Sequence, residues 1–443
     1  MYYLLICDMM RRKKGREKME FQTLKQSHLK RNIIIGVVVV LILAAIILTF
    51  TRAKYRTTQS IPLVNGTINY SLADLNIVAI TVDGEASDTI PEGNYELAST
   101  SYCTYKDGST IDGLTLKFDS NTKAFSVSPY TTKGTKCYLD FVTATTKKVD
   151  TILGTIEVNL DTPNFANTSC TSGCDEATVG IYETIDNLGT SYYYRGDVEN
   201  NYVQFAGFYW RIIRINGDGS IRIIYDGTSA HANGESSTDR QTGTSAYNSS
   251  SNASYYVGYT YQTGAQRPIS QNSGTASTIK GVLDNWYQTN MANKGYDDKV
   301  VSTPGFCNDR NTRSGDSWVS RGTTFYYAPY ERFVSTHQPT LKCSNTNDIY
   351  TTKVGLITAD EVMFAGGTTS SNNSYYLYTG QYYWTMSPSH FNGSYALVFC
   401  VYSSGSLYID WVINTYGVRP VINIASNVTI TGSGTISDPY AVN

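Results

Sequence analysis

The sequence predicts a membrane-anchored protein whose external part is an all-β sandwich domain followed by an α+β domain. Three observations carry that prediction. One uncharged apolar run, residues 33–50, follows a dense basic cluster. From residue 64 to 163, short apolar runs alternate with Gly-, Asn- and Asp-rich turns, the pattern of antiparallel strands. Beyond that, longer strand-like runs are joined by two helical segments. The 443 residues suit two folded domains plus an anchor. A formal net charge of -2 leaves no basic footprint for nucleic acid, which is excluded as a partner class. The 37 Tyr residues, set among Ser, Thr, Asn and Gly, have the composition of adaptable binding surfaces.

The anchor comes first in the chain. Eighteen residues, 33–50, reach about 27 Å as a helix, enough for a hydrocarbon core. Arg11, Arg12, Lys13, Lys14, Arg16, Lys18, Lys25, Lys30 and Arg31 precede it, and only Arg52, Lys54 and Arg56 follow closely. The positive-inside rule puts the N-terminus in the cytoplasm and the C-terminal bulk outside the cell. No small-x-small cleavage site follows, so the segment reads as a retained signal anchor. The expected order is a basic cytoplasmic tail at 1–32, a single transmembrane helix at 33–50 and a polar stalk at 51–63.

The sandwich, Ig-like in its strand spacing, is expected over 64–163. Its strand runs include LNIVAITV, GLTLKF, AFSVSPY, CYLDFVTA and GTIEVNL. Cys103 and Cys137 each sit in such a run, and outside the cell they are expected to form a disulfide. Nothing chemical clusters here, so a spacer role is favoured over a binding role.

The second domain is expected over 180–443. Cys170 and Cys174, in CTSGC, precede it and read as a short-loop disulfide. FYWRIIRI and SIRIIYD flank Asn216-Gly217-Asp218-Gly219, a strong hairpin signal. Trp210, Ile212 and Ile223 are expected on its buried face, with Arg211 and Arg222 toward solvent or a partner. Arg195-Gly196-Asp197 matches an adhesion tripeptide, but three-residue matches are cheap, and it reads as the opening of a strand. Residues 228–278 are polar and read as a mobile surface loop with one short strand. A helix follows over 277–291, capped by Ser277 or Thr278, with Ile279, Val282, Leu283, Trp286 and Tyr287 on its core face. Cys307 and Cys343 are the next disulfide candidate. Thr358, with Glu361 three residues on, is a capping box for a short helix.

Residues 382–424 hold the densest apolar and aromatic content outside the anchor. They read as a strand hairpin closed by Gly417-Val418-Arg419-Pro420-Val421, with Trp384 structural. ALVFCV, 396–401, is apolar on both faces and should be a central strand, with Cys400 a buried, unreactive thiol. Pro420 forces Arg419 to be extended, and the flanking valines imply a buried guanidinium held by carbonyls or a carboxylate.

Catalytic and metal chemistry have little support. His28, His231, His337 and His390 are scattered without ligand spacing. There is no nucleophile elbow and no phosphate loop. A helix N-terminus accounts for the pair Asp360–Glu361. No cofactor and no metal are expected.

Taken in order, WRIIRINGDGSIRIIYD, LDNWY, FCNDR, VGLITADEVMFAGG, YYWTMSP and GVRPVINI resemble a group of uncharacterised bacterial single-pass surface proteins. Their C-terminal domains are similar to the C-type-lectin-like fold of sulfatase-modifying (formylglycine-generating) enzymes and of variable receptor-binding proteins. The resemblance covers about residues 180–442. The enzyme members imply a cysteine pair near the C-terminal end, and here Cys400 stands alone. The receptor-like members imply ligand contacts just before Gly-Val-Arg-Pro, which here are Tyr402, Ser404, Ser406, Tyr408, Asp410, Asn414 and Tyr416. The expected function is therefore non-catalytic ligand recognition or adhesion at the cell surface, toward an external glycan or protein. A structural envelope spacer and a sulfatase-modifying-type enzyme are the alternatives.

Overall fold

The computed structural model describes residues 75–119, 124–128, 134–166 and 179–443. The basic tail, the apolar segment 33–50, the stalk and the Cys170/Cys174 pair lie outside the described residues. Among the described residues, no helix is long and apolar enough to cross a membrane. The described chain is mostly β-sheet. It divides into two compact units, one of residues up to 90 with 97–140, the other of 91–96 with 141–443.

In the first unit, Leu75–Val82 and Glu85–Ser87 form a hairpin. Tyr102–Tyr105 pairs antiparallel with the strand that starts at Thr135. Cys103 and Cys137 face each other directly in that pairing, with Cα atoms 4.1 Å apart and their sulfurs bonded. Thr115–Asp119 and Ala124–Ser128 make a separate hairpin.

The second unit contains two large sheets. In the twelve-stranded sheet the main order is Val300–Val301, Val421–Ile424, Ile221–Gly227, Phe208–Ile215, Thr190–Arg195, Gly180–Ile185, Gly154–Asn159, Thr146–Thr151. The last two strands were expected in the first domain. They extend this sheet instead, through parallel pairing of Val158 with Ile181 and Asn159 with Tyr182. The division thus falls near residue 141 rather than 163. Alternation of apolar and polar residues marks a strand, but it does not name the strand's neighbour.

The six-stranded sheet runs Thr244–Ala246, Thr415–Gly417, Tyr383–Asn392, Ala396–Val401, Leu407–Trp411, with Thr324–Tyr326 also on Tyr383–Asn392. Ala396–Val401 has neighbours on both sides and every residue of it is buried, which is why its run is apolar on both faces. Pro388 sits in this sheet at a register shift, where no ladder hydrogen bond is required of it.

Gly-Val-Arg-Pro does not close a hairpin, as the sequence suggests. It carries the chain from one sheet, at Thr415–Gly417, to the other, at Val421–Ile424. Arg419 lies at this crossing and is buried. Its Nε donates to the Tyr225 carbonyl at 3.0 Å, Nη1 to the Leu377 carbonyl at 3.1 Å and Nη2 to Asp226 at 2.8 Å.

Helix Thr278–Asn290 is capped by Ser277, whose hydroxyl accepts from the Lys280 N–H. Ile279, Leu283 and Tyr287 are its buried residues, whereas Val282 is exposed. Trp286 is partly buried and meets Phe208, Trp210 and Tyr225 with ring centroids 5.7–6.0 Å apart. Trp210 is fully buried and its indole N–H donates to the Phe205 carbonyl.

Three further expectations are corrected. Arg211 and Arg222 do not face solvent; they are 0% and 2% exposed. Residues 228–278 are not a loose surface loop, because Tyr247, Val257 and Tyr259 are fully buried in the main core. Arg195 ends a strand rather than opening one, and it is buried with Nη1 donating to the Met363 and Phe364 carbonyls. The tripeptide therefore does not display its arginine.

Cys307 and Cys343 are joined, closing a separation of 36 residues. Peptide mapping without reductant is expected to recover Cys103 with Cys137 and Cys307 with Cys343; alkylated free thiols at these positions would contradict the structure. Opening the second bridge is expected to cost about 2–4 kcal/mol of stability.

Candidate functional site

The residues singled out before Gly-Val-Arg-Pro come together around one carboxylate. Leu407–Trp411 pairs antiparallel with Ala396–Val401, with Tyr408 opposite Cys400 and Asp410 opposite Val398. Successive strand residues point to opposite faces, so Tyr408 and Asp410 share one. A tight turn leads into the strand: the Gly405 N–H donates to the Tyr402 carbonyl, and Gly405 has φ +80°, which a side chain would resist. Asp410 Oδ1 accepts from the Trp411 N–H and from Asn414 Nδ2, both at 2.7 Å. Its Oδ2 accepts from the Tyr402 hydroxyl at 3.4 Å and from the Tyr416 hydroxyl.

These bonds hold a continuous run of rings. Tyr408 lies 4.6 Å from Tyr402, Tyr402 4.8 Å from Tyr382, and Tyr382 stacks on Tyr416 at 5.1 Å. Tyr416 rests 4.7 Å from Trp384, which is fully buried and donates its indole N–H to the Ser245 carbonyl. Burial and the Asp410 charge both push the Tyr402 and Tyr416 hydroxyls well above their ordinary range. Cys400 is completely buried, and burial, then Asp410, raise its thiol far above the usual value. It is a neutral thiol and a poor nucleophile.

Tyr402, Tyr408, Asp410, Asn414 and Tyr416 therefore form one cluster. Ser404 and Ser406 bond to each other at 2.9 Å in the turn, and Ser406 is buried rather than displayed. Tyr382 belongs to the face but was not singled out in the sequence. Its signal was the alternation in Tyr382-Tyr383-Trp384, which sets 382 and 384 on the same side.

A second cluster is ionic and internal. One oxygen of Glu361 accepts from Arg214 Nε at 3.0 Å and Arg222 Nη1 at 2.7 Å; the other closes the capping box with the Thr358 N–H at 2.9 Å. Arg214 also meets Asp186 at 2.8 Å, and Arg332 joins Asp360 at 2.6 Å to Asp309 at 2.9 Å. Burial alone would raise the Glu361 pKa, but Arg222 and Arg214 hold it down to about 2. These side chains line a crevice of about 40 Å³, also lined by Lys342. Its charged lining is four carboxylates against four cations, so it is neutral and suits bound water. Glu361 is thus the counter-ion of two buried arginines and Asp360 that of the partly buried Arg332, and both are helix-terminus residues as well.

A third cluster has catalytic residue types without a free base. His231 is buried, with Nδ1 2.8 Å from Glu235 and Nε2 2.9 Å from Asp239. Burial opposes its charge, but the two carboxylates outweigh burial and raise its pKa. Both ring nitrogens are taken, so it cannot accept a proton from Ser229, 3.5 Å away. This group escaped the sequence reading because its members lie in a polar stretch with no motif.

Among the described residues, no three His, Cys, Asp or Glu side chains are grouped to hold a metal ion. No family model matches the chain, and searches of curated proteins and of solved structures return no match.

Proposed function

We propose that the protein is a non-catalytic ligand-recognition or adhesion protein of the cell surface, and that the Asp410 face is where it binds. One observation carries this reading: the half-exposed rings of Tyr408 and Tyr382 pack on Tyr402, and Tyr402 and Tyr416 are held by the Asp410 carboxylate. Tyr408 is 52% exposed and Tyr382 40%, while the neighbouring strand Ala396–Val401 is buried throughout. Large amphipathic rings with little freedom left to lose make favourable binding surfaces. The two disulfides suit an oxidising, extracellular setting. The apolar run 33–50 after a basic cluster supports a single-pass anchor with the bulk outside. In this reading the first unit is a β-sandwich spacer and the second a C-type-lectin-like binding domain.

The test is a screen of the full-length chain against glycan and protein arrays, beside a variant carrying Tyr382→Ala and Tyr408→Ala. A ligand held by the native chain and lost in the folded variant supports the reading. Equal capture by both would move the site elsewhere, and no capture at all would favour a structural spacer.

A further inference from the structure

The face has an unusual charge balance. Between Glu361 and Arg419, Asp410 is the only Asp, Glu, Lys or Arg. His390, the one histidine in that stretch, is kept neutral near pH 7 because burial lowers its pKa to about 4. The rings therefore surround a single negative charge with no cation from their own sheet strands.

That charge has no hydrogen-bonding capacity left. A carboxylate offers about four acceptor sites. Trp411 N–H, Asn414 Nδ2 and the hydroxyls of Tyr402 and Tyr416 supply four donors. A sugar hydroxyl or a primary ammonium would have to displace one of them. All four donors are neutral, however, so none of them cancels the charge. Two phenols that donate to a carboxylate also gain electron density in their rings, which deepens the negative potential over the ring faces. A cation that asks for no hydrogen bond fits both conditions, and it is attracted to such faces within about 6 Å.

We infer that the Asp410 face binds a quaternary ammonium group, of the trimethylammonium class found in choline and its esters. The inference rests on the recognition reading above and adds the ligand class. Tyr408 and Tyr382 supply exposed rings packed on Tyr402, and Asp410 supplies the field.

The experiment is calorimetric titration of the full-length chain in a neutral maltoside detergent. The probes are tetramethylammonium, phosphocholine, ethanolamine and the uncharged isostere 3,3-dimethylbutanol. The two quaternary ions are expected to bind at least tenfold tighter than the isostere and than ethanolamine. Tyr408→Ala, at an exposed position, should weaken them at least tenfold, and Tyr408→Phe should restore them. Capture on phosphatidylcholine but not phosphatidylglycerol nanodiscs would identify a lipid headgroup as the source; binding of phosphocholine alone would identify a soluble one. Equal affinity for isostere and cation, or no quaternary ion bound by folded protein, would overturn the inference. A neutral glycan held in a Tyr408-dependent way would overturn the ligand class and leave recognition standing. Absence of any Tyr408-dependent ligand would remove both.

Discussion

Glu361→Ala is expected to lower the stability of the second unit by about 3–5 kcal/mol, the usual cost of removing one member of a buried ion pair. The cost arises because Arg214 and Arg222 are both buried and share one Glu361 oxygen. Arg214 keeps Asp186, but Arg222 is left with only neutral acceptors, among them Asn423 and the Gly305 carbonyl. The capping box is lost in the same step. Denaturant unfolding followed by tryptophan fluorescence measures this cleanly, since all five tryptophans lie in the second unit. A loss below about 1 kcal/mol would mean that the arginines find other partners. The same pair sets an acid response. Glu361 falls from an ordinary 4.5 to about 2 on folding. Its contribution is complete above about pH 4.5 and is lost as pH falls toward 2.

Arg419→Ala is the second large effect, about 2–5 kcal/mol from lost buried hydrogen bonds and a cavity. The guanidinium bonds the Tyr225 and Leu377 carbonyls and Asp226, and its cation lies 4.9 Å from the centre of the Tyr383 ring. Truncation leaves two buried carbonyls without this donor and opens a cavity where the chain passes between sheets. Asp226 keeps Arg240 at 2.8 Å, so the penalty is structural more than electrostatic. Arg419→Lys retains the charge but cannot reach three acceptors at once, and should recover only part of the loss. Native-like unfolding of Arg419→Ala would show that the sheets are held together without it.

Features decided by neighbouring residues were the legible ones. The caps at Ser277 and at Thr358 with Glu361, the hairpin around Asn216-Gly217 and the central run 396–401 all follow from patterns a few residues long. Arg419 was legible for the same reason: proline and valines at its sides leave it no route to solvent. Arg222 was not, because its counter-ion Glu361 is 139 residues away and nothing local announces it. On a strand with apolar neighbours, an arginine that faces water and one that faces a buried carboxylate have the same sequence. Residues 228–278 misled for a related reason. Their polar composition dominates the reading, yet Tyr247, Val257 and Tyr259 are enough to draw the segment into the core. Within the face, Asp410 and Tyr416 could be named from sequence, but their shared hydrogen bond joins two strands that are not neighbours in the sheet, and nothing local announces it.

The strand that presents the face separates two kinds of position. Leu407 is fully buried, while Tyr408, next to it and on the opposite face, stands exposed. Register in a half-buried strand is fixed by its inward residues. Tyr408 can therefore be exchanged while the backbone stays where it is. What the surface attracts can be altered at that one position of an edge strand, while the frame that displays it stays as it is.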